Sequence, residues 1–224
     1  MEQPATTEFE LPADTVALIP MRNVVLFPHV LMPITVGRVK SVAAIEFALQ
    51  SKAPIGIVLQ KDATIDNPGF ETLCSIGTIA NVVRHVASDD GTHLIICQGI
   101  ERFQIEEIIE GYPFLAARIK HIQETTQTAT QIEALALQLR ERTVEILSLL
   151  PGIPAELAHA LQTTRVPSHL ADITASLLDT EISEKQMLLE TINIEERLQK
   201  VLQILSRRIE VLRISQEIGA RTKE

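Results

Sequence analysis

The run Leu18-Ile19-Pro20-Met21-Arg22-Asn23-Val24-Val25-Leu26-Phe27-Pro28-His29-Val30-Leu31-Met32-Pro33-Ile34-Thr35-Val36-Gly37 reads as strand, loop, strand. Apolar, β-favouring residues fill 15–19 and 30–36, and Pro20, Asn23 and Pro28 interrupt them. Proline fixes φ and withholds an N–H, so the middle of the run cannot continue a sheet ladder. Gly37 ends the second strand. Beyond it Val42, Ile45 and Leu49 recur at helical spacing beside Ala43, Ala44 and Ala48, which predicts a helix over 39–49 packed on a sheet. Pro54 lies beyond its end.

Further strands follow at short intervals. Residues 55–59 form a continuous apolar run of strand length, and 77–86 form another, rich in Val and Ile. Asp89-Asp90-Gly91 supplies the turn that pairs 78–86 with 93–98 as a hairpin, because glycine at positive φ lets the chain reverse. Residues 103–109 alternate loosely, and 114–122 alternate with charges at Arg118 and Lys120. Six or seven strands with one early helix predict a compact, barrel-like mixed sheet. Gly77, Gly91 and Gly99 each stand alone between strands, which fits turns or bulges and not a phosphate-binding loop.

The texture changes near Ile122. Glu, Thr and Gln run together over 123–130 as a linker, and helical periodicity holds from there on. Ile132, Leu135, Leu139, Ile146 and Leu150 share one face, which Pro151-Gly152 ends. Pro154 and Pro167 sit where a first helical turn accepts proline, opening short helices over 155–161 and 168–178. Ser183 with Gln186, and Asn193 with Glu196, match the spacing of a capping box. The last helix runs from Ile194 almost to Glu224. It carries one apolar stripe at Leu198, Leu202, Leu205, Ile209 and Leu212 and a second at Val201, Ile204, Val211 and Ile218. Two stripes fit a helix with partners on two sides, so Val201, Ile204, Val211 and Ile218 are the candidate self-association residues. No cap closes this helix, which reads as an element cut short. The expected organisation is a disordered tail over 1–14, a β-rich domain over 15–122, a linker over 123–130 and a helical bundle over 131–224.

Composition narrows the function classes. Hydrophobic residues make up 46% of the 224, enough for packed cores, whereas aromatic residues are only 3% and offer little to stack bases on. The net charge of −9 is shared, with 9 Lys+Arg against 14 Asp+Glu up to Ile122 and 11 against 15 beyond it. Neither half concentrates the cations that a phosphate backbone requires, so nucleic acid is not an expected partner. Charged residues interrupt every apolar run before it reaches a membrane span, and the acidic N-terminus lacks the pattern of a secretion signal. A cytoplasmic protein is therefore expected.

No residues assemble a catalytic or metal site in the sequence. Cys74 and Cys97 lie in apolar, strand-like surroundings that raise a thiol pKa, so pairing either with His85 or His93 as a nucleophile is disfavoured. The six histidines are scattered without a ligand spacing, and no CxxC occurs. The loop over 21–32 is the better candidate for binding. It mixes a fixed charge with apolar residues and prolines that limit its freedom, as a pre-organised peptide-binding rim would, and it nominates Met21, Arg22, Val24, Phe27, Pro28, His29, Leu31 and Met32. A plainer alternative stays open, in which Val25, Leu26 and Phe27 tuck into the barrel and Arg22 makes a structural ion pair.

The run from Leu18 to Arg38, followed by Ser41, Ala44, Ile45 and Ala48, closely resembles the opening of the Lon protease N-terminal domain. So do Gly77-Thr78-Ile79-Ala80, the Asp90-Gly91-Thr92 turn, and Gly99-Ile100-Glu101-Arg102-Phe103 with Ile105. The resemblance implies an α+β chain: a PUA-like β-barrel domain with one early helix, followed by an α-helical bundle ending in a long helix. It implies binding of unfolded, damaged or degron-bearing proteins and support of a homohexamer in protein quality control. The family's ATP- and Mg-dependent ATPase part and its Ser-Lys peptidase dyad lie downstream of this region in the full protease. No GxxxxGK[ST] occurs here, so no cofactor and no catalysis are expected of these residues themselves. Two alternatives remain at this point, a purely structural oligomerisation module and a stand-alone Lon-domain adaptor without a protease.

Overall fold

The structure, a computed structural model, describes residues 10–124, 129–150, 152–153 and 155–221. These fall into two compact units, one holding 10–26 with Leu31–Ile122, the other holding Phe27–Val30 with 123–124 and the helices that follow. Residues 1–9 of the expected tail and 125–128 of the expected linker lie outside the described residues.

The first unit contains β1 (Thr15–Met21), β2 (Leu31–Val36), α1 (Val39–Ser51), β3 (Ile55–Leu59), β4 (Ile76–Ala87), β5 (His93–Ile109) and β6 (Ala116–Ile122). β1 and β3 run parallel, the crossover that parallel strands need being made by β2 and α1, and the other pairings are antiparallel. Pairing proceeds β5-β4-β3-β1-β6 and returns to β5, with β2 added outside on β5. The six-stranded mixed sheet thus closes on itself. In its interior Val16, Leu18, Val58, Ile79, Ile105 and Ile119 cluster with Phe103. α1 covers β1 and β3 with Ala44, Ile45 and Ala48 buried, the small alanines letting the helix approach closely.

One difference from the expected strands lies in β5. The runs over 93–98 and 103–109 are a single strand of 17 residues. The Gly99–Arg102 connection does not break it, because Ala80 pairs with Gly99 and Ile79 with Glu101, leaving Ile100 as a bulge. The bulge bends β5 so that its first part pairs with β2 and its last part with β6.

The second unit contains α2 (Thr130–Leu149), α3 (Ala155–Thr163), α4 (Pro167–Leu177), α5 (Ile182–Glu190) and α6 (Ile194–Arg221). α4 is the most enclosed, with Leu170 to Ala175 buried. Pro167 stands in its first turn, where the missing N–H costs nothing. Asn193 caps α6 by accepting the Glu196 N–H at 3.0 Å, but the Glu196 carboxylate turns to Lys200 at 2.7 Å instead of closing the box. At α5 the expected Ser183 cap is absent, because the helix begins two residues earlier, at Ile182 behind Glu181.

A charge lies inside this unit. Arg197 is fully buried; it donates to Glu124 Oε1 at 2.6 Å and to the Thr191 carbonyl at 3.2 Å. Its Nε stands 3.4 Å from the buried Asp172 carboxylate, an ion pair without hydrogen-bond alignment.

Candidate functional site

The loop nominated from the sequence divides between buried and exposed positions. Met21 ends β1 opposite Leu59, and Arg22 reaches Asp66 at 2.5 Å on the surface. Val24 is half-buried, and Val25 and Leu26 are buried, with the Leu26 carbonyl accepting from the Thr78 hydroxyl at 2.5 Å. Phe27 and Pro28 are buried within the second unit. They have no surface to offer a ligand as they stand. Their apolar bulk in a loop without ladder hydrogen bonds gains more from burial than from solvent. His29 is exposed at φ +65° with its ring centroid 3.6 Å from that of His169. Leu31 and Met32 begin β2, opposite Gln98 and Cys97. Of the eight nominated residues, Met21, Arg22, Val24, Leu31 and Met32 keep accessible surface in the first unit, and His29 in the second.

Leu31 belongs to a larger feature that the sequence does not single out. Alternation along β2, β5 and β4 puts one set of side chains inward and the other outward. Register places Thr35, Leu94 and Val86 in one outward row, Pro33, Ile96 and Arg84 in the next, and Leu31, Gln98 and Asn81 in the third. Leu31 is 60% exposed, Leu94 42% and Val86 49%, with Ile96 half-buried between them. Inward-facing partners of the same strands, Ile34, Ile95 and Cys97, are buried. The outer face is thus an apolar, three-stranded platform edged by polar residues. The signal that could have found it is the apolar residue at every position of Leu94-Ile95-Ile96-Cys97, where a strand with one solvated face should alternate.

The titratable groups offer binding geometry and no primed nucleophile among the described residues. Burial pushes the Cys97 thiol up to about 12, which leaves it protonated at neutral pH. His85 and His93, eight residues apart, meet ring to ring with nitrogens 2.7 Å apart, and His121 meets Glu101 at 2.7 Å. Each is a pair without a third ligand, and among the described residues no group of three His, Cys, Asp or Glu could hold a metal ion. No described helix is long and apolar enough to cross a membrane.

On α6 the second stripe splits. Val201 and Ile204 are buried in the helical unit beside Leu198, Leu205 and Ile209, because residues three and four apart share one face and the first stripe is wide enough to include them. Val211 and Ile218 are exposed, as is Ile214 between them.

A family model described as the ATP-dependent protease La (LON) substrate-binding domain matches residues 15–207. The chain belongs to the Lon substrate-binding domain family. Within that family it is 45% identical over 214 residues to a Lon protease of Paraburkholderia phytofirmans, covering 95% of this chain and 27% of that protein. It is 44% identical over 224 residues to a Lon protease of Phenylobacterium zucineum, covering 100% of this chain and 28% of that protein. The chain thus spans about a quarter of the length of these Lon proteases. The same fold occurs in the N-terminal domain of a Mycobacterium avium complex Lon protease, with TM-score 0.69 at 21% identity over 86% of this chain and 98% of that one. A Lon N-terminal domain protein from Xanthomonas campestris superposes with TM-score 0.59 at 16% identity, covering 84% and 97%. The Lon family match takes in the whole outer face of β2, β5 and β4 and the first half of α6.

Proposed function

We propose that this chain is the part of a Lon protease that engages protein substrates, gripping apolar segments of unfolded or degron-bearing chains on the outer face of β2, β5 and β4. The observation that carries the reading is the run of exposed apolar side chains, Leu31, Leu94 and Val86, on a domain whose family is described by substrate binding. Unfolded chains differ from folded ones chiefly in exposed apolar surface, so an apolar platform discriminates between them without a sequence code. Met21, Arg22, Val24 and Met32 keep accessible surface in the same unit and are further candidates for contact; thioethers repack readily around varied side chains. Each contact is weak, and repetition of the site in a homohexamer supplies avidity. The ATP- and Mg-dependent motor and the Ser-Lys peptidase belong, on this reading, to the remainder of a cytoplasmic protein, with this region handing substrate toward them.

A supporting role in assembly has its own observation: Val211, Ile214 and Ile218 leave an apolar strip on the outer part of α6. A helix with such a strip associates with a second helix by burying it.

The test is capture. The purified chain, presented with a reduced and alkylated model protein and with the same protein in its native form, retains the unfolded form and leaves it uncleaved. Failure to retain it, by a chain whose circular dichroism shows an intact fold, removes the substrate role.

A further inference from the structure

A second feature of the first unit lies where α1 begins. A cleft of about 450 Å³ opens there, within the size range of ligand pockets. Its apolar wall is Pro20, Val39 and Leu115, and its polar wall is Arg38, Lys40 and Ser41. The charges in it do not balance. Asp66, also at the cleft, is engaged through its carboxylate by Arg22 at 2.5 Å. Arg38 donates only to neutral acceptors, the Pro20 carbonyl at 2.7 Å and the Asp66 backbone carbonyl at 3.4 Å. No carboxylate of the described residues lies within ion-pair distance of Arg38 or Lys40.

Burial, and after it the neighbouring Arg22 charge, weakens the hold of the Arg38 guanidinium on its proton, while Asp66 acts the other way. The group is desolvated and crowded by a like charge, the setting in which an added anion gains most. Ser41 points to the same vacancy of charge. It is only 3% exposed, it lines the cleft, and its hydroxyl has no hydrogen-bond partner among the described residues. A hydroxyl that lines a cleft without a protein partner is free to donate to a ligand there. The first turn of α1 contains no acidic residue, and its cap residue Arg38 makes no side-chain capping hydrogen bond, so none of the described residues of that turn supplies an anion there.

We infer that this cleft receives the C-terminal carboxylate of an unfolded polypeptide, with Arg38, Lys40 and Ser41 around the carboxylate and an apolar last side chain against Pro20, Val39 and Leu115. The inference rests on the substrate-binding reading and names one chemical feature of the substrate. A terminal residue carries its carboxylate and its side chain on one carbon, which matches a site where cations and an apolar wall stand side by side. An internal Asp or Glu carries its charge at the end of its own side chain and brings no apolar group with it.

Fluorescence anisotropy with three labelled peptides tests this: an apolar nonapeptide with a free C-terminal acid, the same peptide as its amide, and the amide with one internal Asp. The acid is expected to bind at least tenfold more tightly than either amide. Arg38→Gln and Lys40→Gln each remove most of that preference and leave amide binding unchanged; Lys40 is exposed, so its variant remains informative if loss of the Arg38 contact to Pro20 disturbs the fold. Equal binding of acid and amide overturns the carboxylate site while leaving substrate binding standing. Tight binding of the internal-Asp amide overturns the assignment to a chain end. Failure of every peptide, with capture of a denatured protein retained, also overturns the cleft; failure of both removes the reading beneath it.

Discussion

A Cβ placed on Gly77 would stand 2.8 Å from Phe103 Cζ and 2.4 Å from the Ile57 carbonyl oxygen. The absence of a side chain at 77 leaves room for the Phe103 ring beside β4. Gly77→Ala is therefore expected to destabilise the first unit by roughly 1–3 kcal/mol, the range for overpacking a core, and toward its upper end because backbone as well as the ring must move. Chemical denaturation monitored by far-ultraviolet circular dichroism checks it; an unchanged midpoint would show that the sheet yields more easily than its packing implies.

The fully buried Arg197, between Glu124 and Asp172, holds together the start of the helical unit, α4 and α6. Removing one partner of a buried pair leaves the other charge uncompensated, which costs about 3–5 kcal/mol. Arg197→Ala should thus lower the unfolding midpoint of the helical unit by far more than Arg207→Ala, whose ion pair with Glu184 is on the surface and contributes roughly 0–1 kcal/mol. Comparable losses in the two variants would refute the ranking.

Cys97 and Cys74 should differ in reactivity and in pH response. Burial raises the Cys97 thiol from its ordinary 9.0 to about 12, while Cys74 is half-buried. At pH 8 iodoacetamide should modify Cys74 well before Cys97 in the folded chain, which mass mapping of the alkylated peptides resolves. Below pH 9 the thiol is protonated folded and unfolded, so it has no effect on stability there. Above pH 9 the unfolded thiol ionises and the folded one does not, so stability falls as pH rises toward 12. Cys97→Ala should flatten that alkaline slope.

The exposed strip on α6 predicts concentration-dependent self-association. Val211→Glu combined with Ile214→Glu should lower the association seen by sedimentation velocity without lowering the thermal midpoint, since both side chains are exposed. An unaltered sedimentation profile would assign assembly to other surfaces.

The order of elements over 15–59 is legible in the sequence because proline and glycine punctuate it and period-2 runs give way to period-3.6. The hairpin at Asp90-Gly91 is equally legible, with Gly91 at φ +82° and Asp90 accepting from the Thr92 N–H and hydroxyl. Less legible is whatever depends on distant partners. Gly99 reads as a break, yet β4 pairs across it and β5 continues. Phe27 and Pro28 have the composition of a binding rim, and only the folded chain decides that they are buried. Arg197 reads as one more charge on a polar helix face, because Glu124 and Asp172 lie 73 and 25 residues away. The apolar platform escapes notice for a related reason, since its three rows become visible only once the registers of β2, β5 and β4 are fixed.

The platform is tested most directly by charging it. Leu94→Lys with Val86→Lys puts two cations on adjacent strands of the outer face and leaves the buried Ile34, Ile95 and Cys97 in place. Binding of a labelled, permanently unfolded protein should weaken at least tenfold, about 1.4 kcal/mol, with the circular dichroism spectrum unchanged. Undiminished binding by the folded double variant would contradict the account.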